Sequence, residues 1–202
     1  MATNAIPTTT GKHNKYRGAV AVGTSVYFAP ANEDNVGVFD TDTNTLRTVA
    51  TDVGSFKYKY DGAAAVGNKI YFAPYYQDNV GVLDTVSDVF STVAMSGDAA
   101  DGLQKYSGAV AIGARVFFAP YVQDNVGILD TGTNTFTTVA TTGDEASKKW
   151  KYREAAAVEP ESTLPHTIKR TSECSTPSRM SSAPSTRLAL CRLLMKNTLA
   201  PR

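Results

Sequence analysis

The chain has 202 residues, 42% of them hydrophobic and 19% charged, with a formal net charge of +1. That length suffices for one ordinary domain with a real core, and 20 basic against 19 acidic groups produce no field that would recruit nucleic acid or an acidic membrane. No apolar run approaches the roughly 18 residues that span a bilayer, and the polar start is unlike a signal peptide. Two cysteines cannot make a disulfide scaffold and no Asn-x-Ser/Thr sequon occurs, so the default expectation is a cytoplasmic protein.

Composition breaks near residue 158. All 18 Phe and Tyr, the single Trp and all 15 Gly lie at or before Val158, whereas residues 159–202 hold both Cys, five Pro and seven Ser. Residues 1–158 carry 13 basic and 16 acidic groups; the last 44 carry seven and three. The expected organisation is a disordered segment over 1–14, repeats over 15–158 and a disordered or non-native tail over 159–202.

The repeats are visible by self-comparison. Lys15-Tyr16, Lys59-Tyr60, Lys105-Tyr106 and Lys151-Tyr152 recur at spacings of 44, 46 and 46, and 35 residues from Lys59 match those from Lys105 at 21 positions without a gap. The shared template reads K-Y-x-G-A-x-A-V-G-x-x-V-Y-F-A-P-x-x-x-D-N-V-G-V-x-D-T-x-x-x-x-F-x-T-V, giving units 15–58, 59–104 and 105–150 and a partial unit 151–158.

Each unit divides into four extended runs. Gly18–Val22 is small and apolar and ends at the turn residues Gly23-Thr24. Ser25–Ala29 is β-branched and aromatic, and Pro30, lacking an N–H, stops it. Val36–Phe39 is apolar and is followed by Asp40-Thr41-Asp42-Thr43-Asn44, a cluster that favours Asx turns. Thr45–Ala50 alternates, placing Leu46 on the face of Phe90 and Phe136. No run has a 3.6-residue period. Four strands per roughly 45 residues make a four-stranded antiparallel blade, and blades in tandem make a β-propeller. The fold class is therefore all-β: an incomplete propeller of about three blades plus the start of a fourth, the first strand of each nearest the axis.

Val26-Tyr27-Phe28, Val36-Gly37-Val38-Phe39-Asp40 and Leu46 six positions after that Asp resemble the kelch repeat over residues 15–140. Ala29-Pro30, Ala73-Pro74 and Ala119-Pro120 stand where kelch units carry a Gly pair, and Leu or Phe replaces their blade-closing Trp. Lys69-Ile70-Tyr71-Phe72 through Leu83-Asp84-Thr85 is similar to the YVTN class, which stays open as the alternative. The kelch resemblance implies a binding module. Copper-oxidase propellers that resemble the kelch class use His, Tyr and Cys ligands, of which residues 1–158 supply one His (His13) and no Cys.

The tail reads as the same repeat in another frame. With each codon started at the third base of the visible one, Val158 to Ser162 permits Gly-Ala-Arg-Val, Ser162 to Thr167 permits Tyr-Phe-Ala-Pro-Tyr, and the stretch through Pro184 permits the Asp-Val-Gly-Val-Leu-Asp-Thr strand. Lys196-Asn197-Thr198-Leu199-Ala200 permits Lys-Tyr-Ser-Gly-Ala, and it falls 35 codons after the hidden second-strand Val, the spacing of Ile70 to Lys105. One lost nucleotide near Val158 accounts for all of these matches and makes His166, Cys174, Cys191 and the basic composition products of frame, not a phosphorylated or RNA-binding arm.

Catalytic raw material is scarce: no Ser-His-Asp set, zinc spacing or phosphate loop occurs. No enzyme activity, metal or cofactor is expected. Asp40, Asp84 and Asp130 should hydrogen-bond backbone N–H groups of their turns. The loops after Ala-Pro carry Tyr75, Tyr76, Gln77 and Asp78 in one unit and Tyr121, Gln123 and Asp124 in the next, and Trp150 ends a neighbouring connection. Tyr and Trp anchor contacts and loops on rigid scaffolds carry function, so these eight residues are the candidate binding face, with Tyr75, Gln77, Tyr121 and Gln123 expected to be exposed. The expected function is binding of a protein or a carbohydrate, without catalysis. The alternatives are a fragment of a propeller enzyme or a truncated product without a function. The apolar face of the third blade (Val126, Ile128, Phe136) also offers a route to self-association.

Overall fold

Each repeat folds into one antiparallel sheet whose strands follow chain order. The computed structural model describes residues 13–143 and 148–157. In the first unit β1 is Tyr16–Val22, β2 Ser25–Pro30, β3 Asn35–Asp40 and β4 Thr45–Ala50. The second unit repeats this as β5 Tyr60–Val66, β6 Lys69–Pro74, β7 Asn79–Asp84 and β8 Val89–Ala94. The third is β9 Tyr106–Ile112, β10 Arg115–Pro120, β11 Asn125–Asp130 and β12 Thr135–Ala140. The three sheets are the blades of an incomplete β-propeller. A 3-10 turn, Gly97–Ala99, lies in the connection after the second blade, and among the described residues no helix is long and apolar enough to cross a membrane.

The blades converge at their first strands. A Cβ on Gly18 would lie 2.7 Å from the Gly62 Cα, and one on Gly62 would lie 2.6 Å from the Gly108 Cα. Only glycine tolerates that approach, made by residues with φ of +80°, +95° and +92° at a break in register between the first and second strands. Gly108 meets the Cα of Glu154 in the same way at 2.8 Å. Residues 151–157 thus occupy the first-strand position of a fourth unit. They form no ladder strand, contrary to expectation, and carry Glu where the template has Gly. The segments expected to be disordered, 1–14 and 159–202, lie outside the described residues except for His13 and Asn14.

Between blades the core is apolar. Tyr27, Val36 and Val38 of the first blade pack on Tyr60, Ile70, Phe72 and Leu83 of the second. Tyr71, Val80 and Val82 pack in turn on Tyr106, Val116, Phe118 and Phe136 of the third. Phe136 therefore faces backward into the second blade and is buried, which corrects its expected place on the open face. Val126 and Ile128, one face over, are only half-buried.

Two template dipeptides hold this arrangement. Lys59 Nζ donates to Asp34 Oδ1 of the preceding blade at 2.8 Å, Lys105 to Asp78 at 2.8 Å and Lys151 to Asp124 at 2.6 Å. Tyr60 donates to Asn79 within its own blade at 2.7 Å, and Tyr16 and Tyr106 pair with Asn35 and Asn125 likewise. Lys-Tyr and Asp-Asn are thus one device: the Lys–Asp pair joins neighbours and the Tyr–Asn pair joins the first strand to the third.

Candidate functional site

A backbone belt positions the face. Six hydrogen bonds of 2.9–3.0 Å run from Lys15 through Ala31, Lys59, Tyr75, Lys105 and Tyr121 to Lys151, each residue accepting from the next. The residue after Ala-Pro is thereby clamped between two lysines of successive units. Its side chain is directed toward the inner strands, and Tyr75 and Tyr121 are only 6% and 7% exposed. Their expected exposure is overturned: the Ala-Pro-Tyr segment reads as loop but is tied on both sides. The rings meet at 5.6 Å, and Tyr75 stacks on Tyr76 at 5.3 Å with planes 2° apart. Tyr76, half-buried, continues to Tyr58 at 5.7 Å.

The other expected residues separate by role. Gln77 is buried too, and its backbone carbonyl accepts from Lys105 Nζ at 3.3 Å. Asp78 and Asp124 bind the inter-blade lysines. Gln123, half-buried, donates from Nε2 to the Asp101 carbonyl at 2.9 Å and so braces a connection. Trp150 remains open to solvent at 66% exposure, beside Lys151, and Phe56 and Leu103 on the other connections are comparably exposed.

Sequence reasoning missed the residues that meet these tyrosines. They occupy the third template position, after Lys-Tyr: Arg17, Asp61, Ser107 and Arg153. Because the first strands converge, four side chains from four units form one row. Arg17 Nη1 lies 3.4 Å from Asp61 Oδ2. Ser107 Oγ is 3.0 Å from that same oxygen and 3.1 Å from the Arg153 carbonyl, its one proton shared between them. The Arg17 guanidinium sits 5.2 Å from the centre of the Tyr75 ring and 5.9 Å from that of Tyr58. Arg153 lies 5.6 Å from the Tyr121 ring centre and donates to its hydroxyl at 3.2 Å. The available signal was a position directly after the recurring Lys-Tyr that varies only among polar residues.

Burial sets the electrostatics of this row. Desolvation pushes the Asp61 carboxyl above its ordinary value, and Arg17, Ser107 and Arg153 oppose that shift without cancelling it. Desolvation also raises the Tyr75 phenol. The row can therefore present cations stacked on aromatic faces, a hydroxyl, and a carboxyl that retains its proton more readily than usual. Among the described residues no group of three or more His, Cys, Asp or Glu is placed to hold a metal ion.

No family model matches the chain, and no curated protein matches it. Solved structures do. Virginiamycin B lyase from Staphylococcus aureus is 14% identical with a TM-score of 0.60, over 76% of this chain and 49% of that one. A streptogramin B lyase structure is 12% identical with a TM-score of 0.57, over 73% and 46%. The crystal structure of a nidogen/laminin complex is 14% identical with a TM-score of 0.52, over 69% and 51%. The chain spans about half the length of these matched structures, and at such identities the likeness is one of fold.

Proposed function

We propose that this chain is a non-catalytic, kelch-like propeller module that binds a protein or glycan through the face carrying the inner polar row. The observation that supports this reading is the convergence of Arg17, Asp61, Ser107 and Arg153, one from each unit, beneath Tyr75 and Tyr121. A module needing only to pack would place small or apolar residues at that inner position, as it does at Ala63 and Ala109 two residues on. Exposed Phe56, Leu103 and Trp150 on the connections add apolar anchors. The reading is tested by screening the chain against a glycan array and a displayed peptide library, with R17A and W150A in parallel. Ligands selected by the native chain should be lost by both variants; ligands indifferent to both would overturn it.

A second reading, a fragment of a propeller enzyme, is favoured by the raised pKa of Asp61, since a carboxyl so shifted suits proton transfer. Two lyases among the matched structures keep it in view. The proposed shift of frame near Val158 bears on both readings, and the nucleotide sequence across that codon tests it: an intact frame through Val158 into residues 159–202 removes the proposal.

A further inference from the structure

The inner row is uneven in charge and loosely paired. One carboxylate, Asp61, is paired with Arg17 and lies within the field of Arg153, and Arg153 and Glu154 are both exposed. The Arg17–Asp61 approach of 3.4 Å is longer than the 2.6–2.8 Å of the three inter-blade Lys–Asp pairs. Arg17 and Asp61 stand on the first strands of adjacent blades, whose backbones are spaced by the Gly18–Gly62 contact. A carboxylate free of the backbone has no such restraint and can reach the guanidinium fork in the two-pronged geometry that planar oxyanions favour.

We propose, resting on the binding-face reading above, that this row is a receptor for a carboxylate borne on a ring, and that Asp61 is its built-in occupant when no ligand is present. The Asp61 carboxylate marks where the ligand's carboxylate sits, between Arg17 and Ser107 and within the field of Arg153. The half-buried rings of Tyr76, stacked on Tyr75, and of Tyr58, edge-on to Tyr76 with planes 61° apart, give an angled aromatic wall for the ligand's ring, sugar or aromatic. Arg17 is held over this wall by its contacts with Tyr58 and Tyr75, so its fork needs little reordering on binding.

The test titrates glucuronate and benzoate, with glucose and benzyl alcohol as uncharged controls, into the full chain while recording its amide and arginine side-chain NMR signals. The two acids separate a sugar source from an aromatic one. The carboxylates should shift Arg17, Asp61, Ser107 and Arg153, and the controls should not. D61N, which removes the competing charge at constant size, should bind the better acid about tenfold more tightly, the scale of one charged hydrogen bond. Should D61N fail to fold by circular dichroism, R153L in the otherwise native chain decides, with loss of the shifts expected. Equal response to acids and controls, D61N affinity no higher than native, or shifts unchanged in R153L would each overturn the inference. Because these probes are independent of the array and peptide selections, silence toward both acids removes the carboxylate assignment while R17A and W150A still decide the binding face.

Discussion

Lys105 shows how one side chain sets the energetics of a repeat. Its side chain is wholly buried, whereas that of Asp78, 2.8 Å away, is 74% exposed. Removing either member is therefore not symmetric. Asp78→Ala leaves the buried ammonium with the Gln77 carbonyl at 3.3 Å but without its carboxylate, and breaking a buried pair in this way costs about 3 kcal/mol. Lys105→Met fills the same volume with an apolar chain and leaves a carboxylate that water already solvates, so its cost should stay within about 1 kcal/mol. Urea denaturation of the two variants checks the order. The turn carboxylates give the pH dependence. Asp40, Asp84 and Asp130 are held below the ordinary carboxylate value, first by the backbone N–H groups of Thr43, Ser87 and Thr133 respectively. A depressed folded pKa gives stability that is present above the unfolded value and lost as pH falls through the folded one. Asp61, raised by burial, has the opposite sign: its contribution is present below the ordinary value and lost as pH rises through the folded one. Asp84→Asn keeps an acceptor for the Val86 and Ser87 N–H groups, which now meet Asp84 Oδ1 at 3.0 and 3.1 Å, but cannot titrate. The variant should lose less stability than the native chain on acidification, measured by thermal melts from neutral pH into the acid range.

The strands were legible because their determinants are local. Alternation, Ala-Pro stops and the Asp-Thr turns put β2 at Ser25–Ala29 where it runs Ser25–Pro30, and β4 at Thr45–Ala50, where it lies. Less legible was why the third strand keeps a Gly in every unit. Gly81 lies under a trio of rings, Tyr60, Phe72 and Phe90, with centres 5.9–6.2 Å apart. A Cβ there would stand 2.7 Å from Phe90 Cζ and 2.9 Å from Tyr60 Cζ. In the first blade Leu46 replaces the third ring, and the nearest atom to a Cβ on Gly37 is at 3.2 Å. Gly81→Ala should therefore destabilise by about 2 kcal/mol through overpacking, and Phe90→Leu, copying the first blade, should recover part of that loss. A double-mutant cycle in urea measures the coupling; strict additivity would show that the ring and the missing methyl do not meet.

At the scale of the whole molecule, sequence reasoning reached the number and order of blades but not which residues share the inner row. That placement depends on contacts some 46 positions apart along the chain, such as Ser107 on Asp61, and no local pattern encodes them. The same long-range logic exposes one end of the blade stack. Val80 and Val82 of the second blade are 0% and 5% exposed because the third blade covers them, while their counterparts Val126 and Ile128 are half-buried and Val139 is 57% exposed. A lysine placed at position 82 must enter the core between two blades, where an unpaired charge is costly, and Val82→Lys should unfold the chain or lower its stability by more than about 3 kcal/mol. Ile128→Lys places the same charge on a face that no other blade among the described residues covers, so stability should change by less than about 1 kcal/mol. Apolar faces of this kind associate, and the charge should oppose it: the native chain is expected to sediment with a concentration-dependent component that Ile128→Lys diminishes. Equal destabilisation by the two substitutions would mean that Ile128 is covered as fully as Val82, and a native chain that sediments as a monomer at every concentration would remove the association altogether.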